Sequence, residues 1–90
     1  MDINERIFFA RTVPLCDIYE VIELNVRTVN GNWFVGVDVN TRQAFPFDES
    51  DIGTLVFSTK KEAEEVVKAA KKKYGVRKLT KVREEDADEI

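Results

Sequence analysis

The chain has no histidine and one cysteine, Cys16, so the side chains most often used for acid–base, thiol or metal chemistry near neutral pH are almost absent. What remains are carboxylates, lysines, arginines and aromatic rings. Asp48, Glu49 and Asp51 offer clustered oxygens, but the segment lacks the spaced ligand series and central glycine of a calcium loop, so turn-forming acids are the better reading. Cys16, between Leu15 and Asp17, has no activating neighbour and is expected to be a buried or half-buried structural thiol. No nucleophile and base stand in a recognisable arrangement. The sequence therefore predicts a non-enzyme with no catalytic residues, no metal site and no cofactor.

Two groups of residues suggest binding instead. Lys71, Lys72 and Lys73 with Arg77 and Lys78 form a basic stretch suited to phosphate backbones. Arg27, Phe34 and Gly36 are expected on one outer sheet face, the aromatic beside an arginine being a composition enriched at protein contacts and the glycine leaving a dent beside the ring. A cross-strand cation–π pair on a solvated face is the plainer explanation of the same two residues.

These positions depend on a hairpin. Tyr19 to Val29 alternates, with Ile22, Leu24, Val26 and Thr28 on one face, and the Asn30-Gly31 pair that follows is a strong turn signal. A regular ladder around that turn pairs Thr28 with Trp33, Val26 with Val35, Leu24 with Val37 and Ile22 with Val39. Moving the loop to Gly31-Asn32 keeps the same faces. Trp33 is then the inner ring and Phe34 the outer one, with Arg27 opposite Phe34 and Glu23 opposite Asp38 as a solvated like-charge pair.

The other elements follow from local signals. Arg6 to Val13 is a first strand ending at Pro14; Arg42 to Phe47 is an edge or bulged strand because Pro46 lacks a ladder donor; Thr54 to Phe57 closes the set. Thr59 and Glu62 make a capping box, and Ala63, Val66, Val67, Ala70 and Tyr74 form one apolar stripe of a helix that Gly75 ends. Val76 to Val82 is an expected extra strand. The predicted fold class is α+β: a small, strongly bent antiparallel sheet or SH3-like barrel followed by one amphipathic helix.

The ninety residues carry a net charge of −3, of which Glu84 to Ile90 contributes −5, leaving +2 on residues 1–83. One barrel-plus-helix domain over 1–83 and an acidic, disordered tail over 84–90 are expected. The apolar runs are far shorter than a membrane span, and the N-terminus lacks the basic and apolar regions of a secretion signal, so a cytoplasmic protein without membrane contact is expected.

The segments "ARTVP", "IYEVIELNVRTV", "FVGVD", "QAF", "DIG" and "VF", followed by a capped helix with "EA", resemble a group of short phage and prophage proteins of Firmicutes, over about Phe8 to Lys73. No established activity accompanies that group. The resemblance implies a mobile-element protein acting in a host cytoplasm, for which binding and inhibiting a host defence protein, as anti-CRISPR-type inhibitors do, is a common role. Two other classes stay open: a nucleic-acid-binding accessory module, and a sponge for a small nucleotide signal. A homodimer through the edge strand containing Pro46, or through the strand ending at Pro14, is a further expectation.

Overall fold

The computed structural model describes residues 1–75. Five strands, β1 (Arg6–Val13), β2 (Ile18–Asn30), β3 (Trp33–Asp38), β4 (Ala44–Asp48) and β5 (Val56–Phe57), form one antiparallel sheet in the order β4-β3-β2-β1-β5. Helix α1 (Lys60–Ala70) follows, extended by a π-helical turn over Lys71–Gly75. This is the α+β fold expected, as the bent sheet and not as a closed barrel: β4 and β5 are its two edges. The strand expected over 76–82, Arg77, Lys78 and the acidic tail lie outside the described residues.

The bend follows from the ring contacts. β1 and β4 are three strand spacings apart in the sheet, roughly 14 Å if it were flat. Yet the Phe9 ring of β1 lies 5.5 Å from that of Phe45 and 4.9 Å from that of Phe47 in β4. The sheet curls so that its inner face encloses Ile7, Ile22, Leu24, Val26, Phe34, Phe47 and Val56. Its outer face is only partly covered: α1 lies over β1, β2 and β5, where Ala63, Val66 and Val67 meet Phe8, Ala10, Val21 and Phe57. Of the expected apolar stripe, Ala63, Val66 and Val67 thus pack on the sheet, whereas Tyr74, on the turn after α1, is exposed.

Thr59 caps the helix, its hydroxyl accepting from the Glu62 amide at 3.4 Å and donating to the Glu62 carboxylate at 2.7 Å. The glutamate therefore returns to the cap hydroxyl.

The facing of β3 is the reverse of the expectation. The loop is Gly31-Asn32, with Gly31 at φ 62°, and the ladder begins regularly with Asn30 opposite Trp33, Val29 opposite Phe34 and Thr28 opposite Val35. Arg27 is then skipped, and Val26 stands opposite Gly36. One extra residue in a strand shifts the side-chain alternation of everything beyond it relative to its partner. Because Leu24 and Val26 stay inside, Phe34, Gly36 and Asp38 must face inward with them, and Trp33, Val35 and Val37 face out. Phe34 is 2% exposed and Trp33 44%. The same bulge bends β2 and so helps to curl the sheet.

Candidate functional site: the uncovered outer face of β3

The outer face beyond α1 is built from β3 and its neighbours. Trp33, Val35 and Val37 alternate along the middle strand, flanked by Thr28 and Asn25 of β2 and by Pro46 and Ala44 of β4. Trp33, Thr28, Ala44 and Pro46 are exposed, and Val35, Val37 and Val39 are half-buried. At one end the surface sinks into an open groove of about 520 Å³, lined by Asn4, Arg6, Asn25, Arg27, Val37, Val39 and Arg42. Its lining combines three arginines and two asparagines with two valines, and no acidic residue.

Each arginine is held differently. Arg6 leaves β1 beside Glu23 of β2 and is ion-paired with it. On the β3 side Asp38 stands opposite Leu24, and the Val39 amide donates to the Glu23 carbonyl, so the expected Glu23–Asp38 like-charge pair does not exist. Arg27 is the bulged residue, whose exclusion from the ladder turns it to solvent. Arg42 closes the β3–β4 turn with its backbone at φ 68°, in the left-handed region that non-glycine residues seldom adopt. Among the described residues, neither Arg27 nor Arg42 is in an ion pair.

Asp38 fixes that turn from below. It is 8% exposed; its Oδ1 accepts from the Asn40 amide at 2.7 Å and the Thr41 amide at 3.3 Å, and its carbonyl accepts from the Arg42 amide at 2.9 Å. The Asn40 amide, helped by Thr41, holds the carboxyl below its ordinary pKa despite the opposing effect of burial.

Of the three residues expected to form a protein-binding patch, only Arg27 is on the surface. Phe34 stacks on Phe47 with ring centroids 5.5 Å apart, inside the core. Gly36 also points inward, where a Cβ would stand 2.9 Å from Leu24 Cδ1 and 3.1 Å from Leu24 Cβ, so it admits a close approach and leaves no outer dent. The bulge at Arg27 is the physical cause of both corrections. Cys16 is exposed on the short turn after β1, contrary to its expected burial.

The acids of the 48–51 loop do organise a turn. Asp48 Oδ2 accepts from the Ser50 amide at 3.0 Å and its hydroxyl at 2.7 Å, while Asp51 Oδ2 accepts from the Asp48 amide at 2.9 Å. Lys71, Lys72 and Lys73 are exposed on the turn after α1, which packs near the Pro14–Cys16 turn at the far end of β1. Arg6 begins that eight-residue strand, so roughly 23 Å of strand separates the lysines' end of the sheet from the groove's end. The two basic groups do not merge into one stripe. No helix among the described residues is long and apolar enough to cross a membrane.

Sequence reasoning missed Trp33, Val35, Val37, Val39, Arg6 and Arg42 as surface candidates. Their signal was present but ambiguous, since an apolar alternation marks a face that is covered without saying by what. Compared with known proteins, the chain matches no family model, no curated protein and no solved structure.

Proposed function

We propose that this is a non-enzymatic interaction protein that works by holding the outer face of β3 against a larger protein. One observation carries the reading: β3 turns its more apolar side outward. Trp33, Val35 and Val37 face away from the core, whereas Gly36 and Asp38 occupy inward positions beside Phe34. Local patterning that contradicts burial is most often found where a surface is used, and an exposed tryptophan is a residue enriched at binding hot spots, as are the arginines toward the other end of this face. The resemblance to phage proteins supports the more specific form of the proposal, an inhibitor of a host defence protein acting in the host cytoplasm.

The test is capture from a host lysate by the full chain and by two variants, Trp33→Ala and Val37→Asp, with circular dichroism confirming the fold of each. Trp33→Ala is expected to weaken capture by about 2 kcal/mol or more. Retention of the same partner at unchanged affinity by both folded variants would refute this face as the contact.

The exposed Lys71, Lys72 and Lys73 favour a second reading, nucleic-acid binding through the helix end. Charge reversal at Lys72 and Lys73 should then abolish binding of an oligonucleotide, with a steep salt dependence, and Trp33→Ala should leave it unchanged. The nucleotide-sponge reading has less support, because neither positive-φ glycine, Gly31 or Gly53, lies in the basic groove to form a phosphate cradle. For self-association, β4 is a free sheet edge among the described residues, whereas the strand ending at Pro14 lies between β2 and β5, with β5 pairing it only at Phe8 and Phe9.

A further inference from the structure

We propose that the groove formed by Arg6, Arg27 and Arg42 selects the partner by charge: it takes carboxylate side chains from an acidic, extended segment of a protein. This rests on the reading of the β3 face as a contact surface and assigns the chemistry of what meets it.

The lining itself is the first ground. Arg6, Arg27 and Arg42 converge with Asn4 and Asn25 on a floor of Val37 and Val39, with no acid among them. Glu23 neutralises Arg6 from the side, which leaves two guanidinium groups for an incoming anion. Arginine presents a planar fork that matches a carboxylate in two parallel hydrogen bonds, and the weak hydration of guanidinium suits a contact with an apolar floor.

The second ground is backbone strain. Arg42 stands at φ 68° in a turn where glycine or asparagine would be accommodated more easily. The turn is nevertheless locked by the Asp38 carboxylate and the Arg42 amide, which fixes where this guanidinium starts from. A side chain held at a disfavoured backbone position is a pointer to use.

The shape decides between small and large anions. The groove lies open along the sheet surface, and small-molecule sites normally enclose most of their ligand. Its charged residues come from three separate strands or turns, and no two lining residues are consecutive in sequence, as a backbone-amide nest for a phosphate would need. A peptide lying across β2 and β3 instead sets its carboxylates on Arg27 and Arg42 and its apolar residues on Val37, Val35 and Trp33.

The experiment uses the full chain and its sole tryptophan, Trp33, which lies on the same face and reports occupancy by fluorescence. Three probes are titrated at two salt concentrations: a synthetic peptide of alternating Glu/Asp and Leu, the same peptide with Gln/Asn in place of the acids, and a single-stranded oligonucleotide. The acidic peptide is expected to bind at least about tenfold more tightly than its amide counterpart. The double variant Arg27→Glu, Arg42→Glu should lose that preference while keeping its circular dichroism spectrum, and reversal of Lys72 and Lys73 should not affect it.

Equal binding of acidic and amide peptides would overturn the charge assignment. So would tighter binding of the oligonucleotide with the same dependence on Arg27 and Arg42. The chain's own acids at Glu84, Glu85, Asp86, Asp88 and Glu89 are a rival occupant. If the peptide binds only after these five are changed to their amides, the groove serves the tail and the partner assignment falls. The two levels of the reading also separate: a lysate partner lost on Val37→Asp but indifferent to the double arginine reversal leaves the contact face standing and removes the acidic partner.

Discussion

Phe34 and Trp33 are neighbours in sequence and opposite in environment, so their truncations should have unequal costs. Phe34→Ala removes a ring that is 2% exposed and stacked on Phe47, and is expected to cost about 3 to 5 kcal/mol. Trp33→Ala, at a ring 44% exposed, should cost well under half of that. Paired thermal melts check the order, and a larger loss at Trp33 would mean that the bulge is misplaced. At Gly36 the constraint is contact: a Cβ there meets Leu24, which is fully buried and cannot yield at its own Cβ, so Gly36→Ala should cost about 1 to 3 kcal/mol. Arg42→Gly should behave oppositely. It relieves a left-handed non-glycine residue, so the melting temperature should hold or rise, corresponding to up to about 1 kcal/mol, while binding to the acidic probe weakens. A residue whose removal helps stability and harms binding is retained for the contact.

At the scale of elements, the bulge in β2 decides most of what distinguishes this molecule. Arg27→Ala changes only an exposed side chain and should alter stability by no more than about 0.5 kcal/mol. Deleting Arg27 is a different operation, because it removes the extra residue itself: the pairs on either side, Thr28 with Val35 and Val26 with Gly36, then join into a regular ladder with Phe34, Leu24 and Val26 still inside. The deletion variant is expected to keep the same facing and a cooperative melt, losing only the bend that the bulge gives β2, and loss of cooperative unfolding would show that the curl of the sheet depends on that bend. The strands, the Thr59 cap and the apolar stripe of α1 were all legible in the sequence because each depends on residues within a few positions of one another. The facing of β3 was not. Arg27 and Thr28, two adjacent polar residues where alternation asks for one, were the local sign of the bulge, but Trp33, Val35, Val37 and Val39 formed the more convincing inner face. Periodicity cannot tell an apolar face covered by the core from one left for a partner, and the candidate site failed in the sequence reading at the same residues for that reason. Arg42 was illegible for another reason: its position depends on hydrogen bonds to Asp38 that only the folded turn reveals.

For the whole molecule, the sheet encloses one core by curling and borrows α1 for a second, and the surface left over is the one read here as functional. The stability of this arrangement should depend on pH through the turns that shape it. Hydrogen bonds from the Asn40 and Thr41 amides hold the Asp38 carboxyl below its ordinary pKa, and those from Ser50 do the same for Asp48. A carboxyl with a folded pKa below its unfolded one stabilises the fold at every pH above the unfolded value, and that contribution disappears as pH falls through the folded value. With no histidine in the chain, no side chain has an ordinary pKa between 5 and 8. The melting temperature is therefore expected to be nearly flat from pH 8 to about pH 5 and to fall below about pH 4. Asp38→Asn should lower stability at neutral pH and reduce the drop in acid, because the charged acceptor for two amides is gone. Asp48→Asn, on an exposed loop, should do so less. Because the Asp38 turn also carries Arg42, the Asp38 variant should lose acidic-peptide affinity at neutral pH while still folded, and the Asp48 variant should not. Scanning calorimetry over this pH range with parallel Trp33 fluorescence titrations measures both effects, and equal responses from the two variants would show that the turn under the groove is no more than another surface loop.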